Sequence, residues 1–109
     1  MEFRRYGVSG KLKTECVEDY IRYHEKVWPE VISLLKECGY RNYTIFFKGD
    51  VLFACFELPV TVSLKEADEK MLESPKVREW QNIMESFSIS DDDAVDNSWD
   101  VLQEVFHME

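Results

Sequence analysis

Two short runs of aromatic and branched side chains, NYTIFF at residues 42–47 and VLFACFEL at 51–58, stand on either side of Lys48-Gly49-Asp50. Such side chains fit the pleated, half-buried surface of a strand, and a glycine-bearing connection this short turns the chain back alongside itself. The pair therefore predicts an antiparallel hairpin. A hairpin is marginal alone and is stabilised by further strands or by a packed helix.

The rest of the chain supplies both. Residues 3–12 begin with alternation and β-formers (Phe3, Tyr6, Val8), which reads as a first strand. Thr14 or Glu15 can start a helix whose apolar positions run Val17, Tyr20, Ile21, His24, Val27/Trp28, Val31, Leu34/Leu35 and Cys38, at spacings of three and four. Pro29 lacks a backbone N–H and crowds the turn before it, so this helix is expected to kink or restart near Trp28, and Gly39 is a natural stop. Ser63-Leu64-Lys65-Glu66 has the form of a capping box and opens a helix to about residue 72. Ser74-Pro75 opens another, to about residue 84. An acidic loop, DDDAVDNS, follows, and residues 101–108 (VLQEVFHM) alternate well enough for a last strand. The order β-α-β-β-α-β, with its second helix in two pieces, is that of an α+β ferredoxin-like fold, an antiparallel sheet with helices on one face, of the dimeric α/β barrel type. The uncovered face is expected to carry Ile45, Phe47, Phe53 and Cys55 or their neighbours, and an apolar sheet face left open is a surface for a second copy of the chain.

At 109 residues the chain suffices for one two-layer domain, residues 1–109. A formal charge of −9 leaves nothing to neutralise phosphates, which argues against nucleic acid. No segment approaches the roughly 20 apolar residues of a membrane span, and no apolar run follows the basic start MEFRR, so neither a membrane nor a secretory leader is expected. Cys16, Cys38 and Cys55 are odd in number and widely spaced, which fits reduced thiols in the cytoplasm better than disulfides or zinc. His24 and His107 are the only histidines, and neither has a second ligand at helical spacing, so no metal site is expected.

The stretch YIRYHEKVWPEV, residues 20–31, interrupts the helical stripe with polar rings. Tyr20 and His24 are four apart and sit one above the other on a single helix face. A histidine there is either a satisfied core residue or a proton carrier, since its ring titrates near neutrality. Tyrosine and tryptophan beside it are what a cleft for a polyol would use: flat stacking surfaces with hydrogen-bonding tips. Tyr43 reads by itself as an ordinary strand tyrosine, and Trp80, in the run Val77, Trp80, Ile83/Met84, as a core residue. Tyr23, Trp28 and Trp99 read as packing or rim residues. Glu30, Glu57 and Glu104 are candidate bases in a chain with 22 acidic residues, most of them merely solvated.

Taken in order, YIRYHEKVWPEVISLLKECGYRNYTIF, LFACFE, VREW and LQEVFHM closely resemble the L-rhamnose mutarotase family over nearly the whole chain. The most specific pieces are His-x-x-Val-Trp-Pro-Glu and Arg-Asn-Tyr-x-Ile-Phe. The resemblance implies a small cytoplasmic homodimer, without cofactor, that interconverts the α and β anomers of a 6-deoxy-hexose such as L-rhamnose, or L-fucose. It assigns the proton-donating role to His24 and sugar contacts to Tyr20, Tyr43 and Trp80. Where the family has a Trp-Trp pair on the last helix, this chain has Trp80-Gln81, so one ring of that wall is replaced by an amide.

Two rival readings remain open at this point. One is a non-catalytic sugar-binding or sensor domain on the same fold. The other is a small cofactor-free monooxygenase, which shares the architecture but for which the sequence holds no pointer.

Overall fold

The computed structural model describes residues 2–89 and 100–109. The acidic stretch and Trp99 lie outside the described residues.

The central hairpin forms as expected, with β2 (Arg41–Lys48) antiparallel to β3 (Val51–Pro59) across a tight turn at Gly49 and Asp50. Gly49 takes φ +66°, a left-handed conformation that costs glycine nothing. β1 (Phe3–Leu12) lies on the other side of β3, paired from Phe3 opposite Pro59 to Lys11 opposite Val51. Along β1's free edge run two short antiparallel pieces, β4 (Ser88–Ile89) beside Lys11 and Leu12, and β5 (Asp100–Leu102) beside Gly7, Val8 and Ser9. The order β2-β3-β1-β4 is the ferredoxin-like one, with its last strand divided in two.

A 3₁₀ turn at Thr14–Cys16 leads into α1 (Val17–Glu25), and α2 (Pro29–Cys38) follows after three residues. The break falls where Pro29 requires it, and Pro29 itself occupies the first turn of α2, where its missing N–H has no helical partner to lose. α3 (Leu64–Leu72) and α4 (Pro75–Phe87) are both capped by serine: Glu66 N–H donates to Ser63 Oγ at 3.0 Å, and Val77 N–H to Ser74 Oγ at 3.3 Å.

One face of the sheet meets the helices. Val8, Ala54, Phe56 and Leu58 close over Ala67 of α3, while Val31, Cys38, Met71, Val77 and Trp80 join α2, α3 and α4. Leu12, Tyr20 and Leu52 seal the end where α1 crosses β1 and β3. The open face differs from the sequence reading. Phe46 stands opposite Phe53, and Thr44 opposite Cys55, so Phe46 is the residue that shares the open face with Phe53 and Cys55. Ile45 and Phe47 point to the helix side, where Ile45 packs on the core. The cause is loop length: Lys48 pairs with Val51, leaving two residues in the turn rather than three, and a one-residue change moves every side chain of a strand to the other face.

The C-terminal segment also departs from expectation. Only Asp100–Leu102 is strand; beyond it the chain leaves the ladder, with Val105 91% and Phe106 81% exposed. The tie between this tail and the sheet is polar, a bond from the Arg5 guanidinium to Glu104 at 2.9 Å. Alternation alone does not make a strand without a neighbour to supply its hydrogen bonds.

Gly39 carries the turn from α2 to β2. It takes φ +97°, and a Cβ there would stand 2.8 Å from Pro59 Cδ. Left-handed backbone costs an L-residue about 1–2 kcal/mol, and the contact with Pro59 adds to it. Gly39→Ala is therefore expected to lower unfolding stability by about 2 kcal/mol or more, read from the urea midpoint, whereas Gly49→Ala, which meets nothing within 4 Å, loses the backbone part alone.

Candidate functional site

His24 and Glu25 are the last two residues of α1, because Pro29 can neither bond to the carbonyl of residue 25 nor avoid it. Four residues earlier on the same face, Tyr20 stacks on His24 with ring centroids 4.1 Å apart. The His24 Nδ1–H donates to the Tyr20 carbonyl oxygen at 2.8 Å. A carbonyl only accepts, so this bond holds the proton on Nδ1 and leaves Nε2 as the nitrogen free to meet a ligand.

These rings stand at a cavity of about 240 Å³. Its α1 wall is Tyr20, Ile21, His24 and Glu25; the sheet supplies Ile45 and Phe47 from β2 and Leu52 from β3. The volume is just under the roughly 300–1,000 Å³ of ordinary ligand clefts, a size for one monosaccharide-like molecule. The walls are largely apolar, and their polar side chains all come from α1.

The electrostatics follow from partial enclosure. Burial disfavours the imidazolium and lowers the His24 pKa below its usual 6.5, against the upward pull of the Tyr20 carbonyl. Burial first, then the neighbouring Tyr43, push the Tyr20 phenol well above its usual range, so it stays protonated. Tyr43 is pushed up to about 12 by burial and by the negative charge of Asp68.

Of the four residues singled out in the sequence, Tyr20, His24 and Trp80 are brought together and Tyr43 is not. His24 and Tyr20 line the cavity. Trp80, only 6% exposed, lies behind His24: its ring is edge-on to His24 at 5.5 Å, and it also meets Trp28 at 5.2 Å and Tyr23 at 5.8 Å. Trp80 thus clamps the imidazole from the core side, and Tyr23 and Trp28 are the packing residues expected. Tyr43, 39% exposed, stacks on Phe56 at 4.9 Å and leans on Tyr40 at 5.7 Å, so it packs on the sheet core and is not part of the cavity wall. Alternation from Thr44, which faces the open side with Cys55, turns Tyr43 to the helix side, while a bulge at Asn42 (φ +52°) sets Arg41 opposite Glu57 on the open face.

The three carboxylates considered as bases sit elsewhere. Glu57 is on the open face, held below the usual carboxylate range by hydrogen bonds from Arg41 at 2.7 Å and Asn42 at 2.8 Å, with Arg5 nearby. Glu104 pairs with Arg5, and Glu30 is exposed in the first turn of α2. The carboxylate on the cavity wall is Glu25, which the sequence reading passed over. Its signal was there: it is the neighbour of His24 at a helix end that Pro29 fixes. Among the described residues, no group of three or more His, Cys, Asp or Glu side chains is placed to hold a metal ion, and no helix is long and apolar enough to cross a membrane.

Comparison with known proteins identifies the family. The chain is 31% identical over 100 residues to a UPF0734 protein of Dictyostelium discoideum, covering 87% of this chain and 80% of that one. It is 31% identical over 107 residues to an L-rhamnose mutarotase of Lactiplantibacillus plantarum, covering 96% and 98% of the two chains. The crystal structure of an L-rhamnose mutarotase from Formosa agariphila superposes with a TM-score of 0.74 at 28% identity, covering 97% of this chain and 99% of that one. The family model described as L-rhamnose mutarotase matches residues 5–108, and the chain belongs to the L-rhamnose mutarotase family.

Proposed function

We propose that this protein interconverts the α and β anomers of a 6-deoxy-hexose, L-rhamnose first and L-fucose as an alternative, by acid–base ring opening at His24 and without a cofactor. The observation that carries this is the bond from His24 Nδ1–H to the Tyr20 carbonyl, which leaves Nε2 of this cavity-lining residue as the nitrogen for a ligand. A pyranose opens when its ring oxygen gains a proton and its anomeric hydroxyl loses one. An imidazolium Nε2–H supplies the first proton and retrieves it on closure, an effect worth about 10²–10⁴-fold. Tyr20, fixed as a phenol, is a hydrogen-bonding wall for sugar hydroxyls. Trp80 acts on the sugar through the His24 ring it supports, and Tyr43 is the sugar contact proposed from β2. Ile21, Ile45, Phe47 and Leu52 match the C6 methyl that distinguishes a deoxy sugar. Gln81, half-buried next to Trp80, stands off the cavity wall, which leaves the chemistry at His24 untouched by the loss of the family's second ring.

The active form is proposed to be a cytoplasmic homodimer closed through the open sheet face. What supports it is the apolar surface there, Phe46 62% and Phe53 47% exposed, together with the bare Val105 and Phe106 of the tail. Three free cysteines suit a reducing compartment. A native mass of twice the chain, reduced to one chain by Phe46→Glu with Phe53→Asp, is the expected outcome of size exclusion with light scattering.

Anomer exchange is measured by saturation transfer between anomeric protons in NMR, with L-rhamnose, L-fucose and D-glucose side by side. Acceleration is expected for the deoxy sugars. His24→Ala is expected to fold normally and to lose at least about 10²-fold of the enzymatic rate. Binding-induced stabilisation with no faster exchange would favour a sugar-binding domain instead.

The lowered His24 pKa has two consequences. The proton-donating form exists below that pKa, so the alkaline fall of the exchange rate is expected at a pH below 6.5. For stability the sign is opposite to that of a paired histidine. The unfolded imidazole takes up its proton first as pH falls, so the unfolded state binds more protons and stability declines from about pH 6.5 down through the folded pKa. Urea midpoints at pH 7 and pH 5 are expected to differ less for His24→Gln than for the native chain.

A further inference from the structure

Ring opening needs a group that takes the anomeric proton as well as one that protonates the ring oxygen. We propose that Glu25 is that second catalytic group, a carboxylate that accepts and returns the anomeric proton opposite the His24 imidazolium; this rests on the mutarotase reading above.

Position selects it. The cavity's polar side chains are Tyr20, His24 and Glu25, and the side chains facing them from β2 and β3 (Ile45, Phe47, Leu52) carry no charge. Trp80, packed on His24 from α4, carries none either. Tyr20 is a poor proton acceptor because burial keeps its phenol protonated. Other carboxylates that are candidates by sequence are committed elsewhere: Glu57 to Arg41, Asn42 and Arg5, and Glu104 to Arg5, both away from the helix side. Glu25 follows His24 in the chain and lines the same cavity; consecutive helical side chains diverge by about 100°, so the two flank one small ligand from different directions, as ring and anomeric oxygens on a single carbon allow. Its exposure at the rim keeps it in exchange with water, which suits a group that must give up and regain a proton in every cycle.

The step balances. His24 Nε2–H protonates the ring oxygen, the bond from C1 to that oxygen breaks with its electron pair going to the oxygen, and Glu25 takes the anomeric proton as C1 becomes a carbonyl. After rotation about C1–C2, the former ring oxygen attacks the other face of C1 and returns its proton to Nε2. Glu25 then reprotonates the carbonyl oxygen. Enzyme and sugar end with the protons they began with.

The test uses the full chain with Glu25→Gln and Glu25→Asp, wild type measured first by anomer exchange on L-rhamnose across pH. Glu25→Gln is expected to lower kcat by about 10²-fold, to keep KM within about twofold, and to abolish the acid-side fall of the profile. Glu25→Asp is expected to restore part of kcat and the acid-side fall. Unchanged thermal melting excludes a folding effect at this exposed position. If Glu25→Gln exchanges within about twofold of wild type while His24→Ala is inactive, Glu25 is not the second group and the mutarotase reading stands. If wild type accelerates no sugar, that reading falls and this one with it.

Discussion

One missing backbone N–H, at Pro29, sets where the chemistry of this chain is found. Without it the apolar stripe from Val17 to Cys38 would run as one helix, with His24 and Glu25 in its middle. Proline refuses the bond to residue 25 and crowds its carbonyl, so α1 stops at Glu25 and Lys26 leaves the helix at φ −145°. The break places an imidazole and a carboxylate at a helix end, with one wall of the cavity on α1 and the other on the sheet. It also turns Trp28 back on Trp80, which in turn supports His24.

The His24 environment is a compromise between two demands. A proton carrier needs contact with a ligand and with water, while a fixed geometry needs packing. Tyr20 and Trp80 hold the ring from two sides, and the Tyr20 carbonyl fixes its tautomer. The same enclosure strips water from the imidazolium, and its pKa falls. A lower pKa makes the charged form scarcer at neutrality but a stronger acid when present. For a reaction that proceeds slowly unaided in water, modest acid–base help is sufficient.

Much of this was legible in the sequence because local chemistry decides it. The first strand, the restart at Pro29, the stop at Gly39 and the caps at Ser63 and Ser74 depend on neighbours a few residues apart, and all lie where the pattern put them. The errors fall where a distant partner decides. Ile45 and Phe47 were given to the open face because Lys48-Gly49-Asp50 reads as a three-residue loop, while Lys48 pairs with Val51 and reverses the parity of β2. Tyr43 follows the same parity, since Thr44 stands opposite Cys55 on the open face and its neighbour therefore faces the helices. The tail alternates as a strand does, yet past Leu102 it has no ladder to join. Glu25 was overlooked because among many acids only a cavity distinguishes one from another.

The two faces of the sheet divide the labour, and that division explains the scatter of charge across the chain. On the helix side, where burial is costly for ions, the described buried residues include no charged side chain. The ions of the sheet gather on the other face, where Glu57 draws in Arg5, Arg41 and Asn42, and Arg41 lies 3.5 Å over the Phe3 ring. That cluster occupies one end of the open face, Lys11 and Lys48 the other, and Phe46 and Phe53 stand between them. A carboxylate tied into it is solvated, paired and remote from the cavity, and is therefore unsuited to proton transfer. Glu25 escapes this fate because it sits at the end of a helix rather than on a strand. It stands where an apolar wall ends and solvent begins, which is where a group that carries protons to and from a ligand has to be.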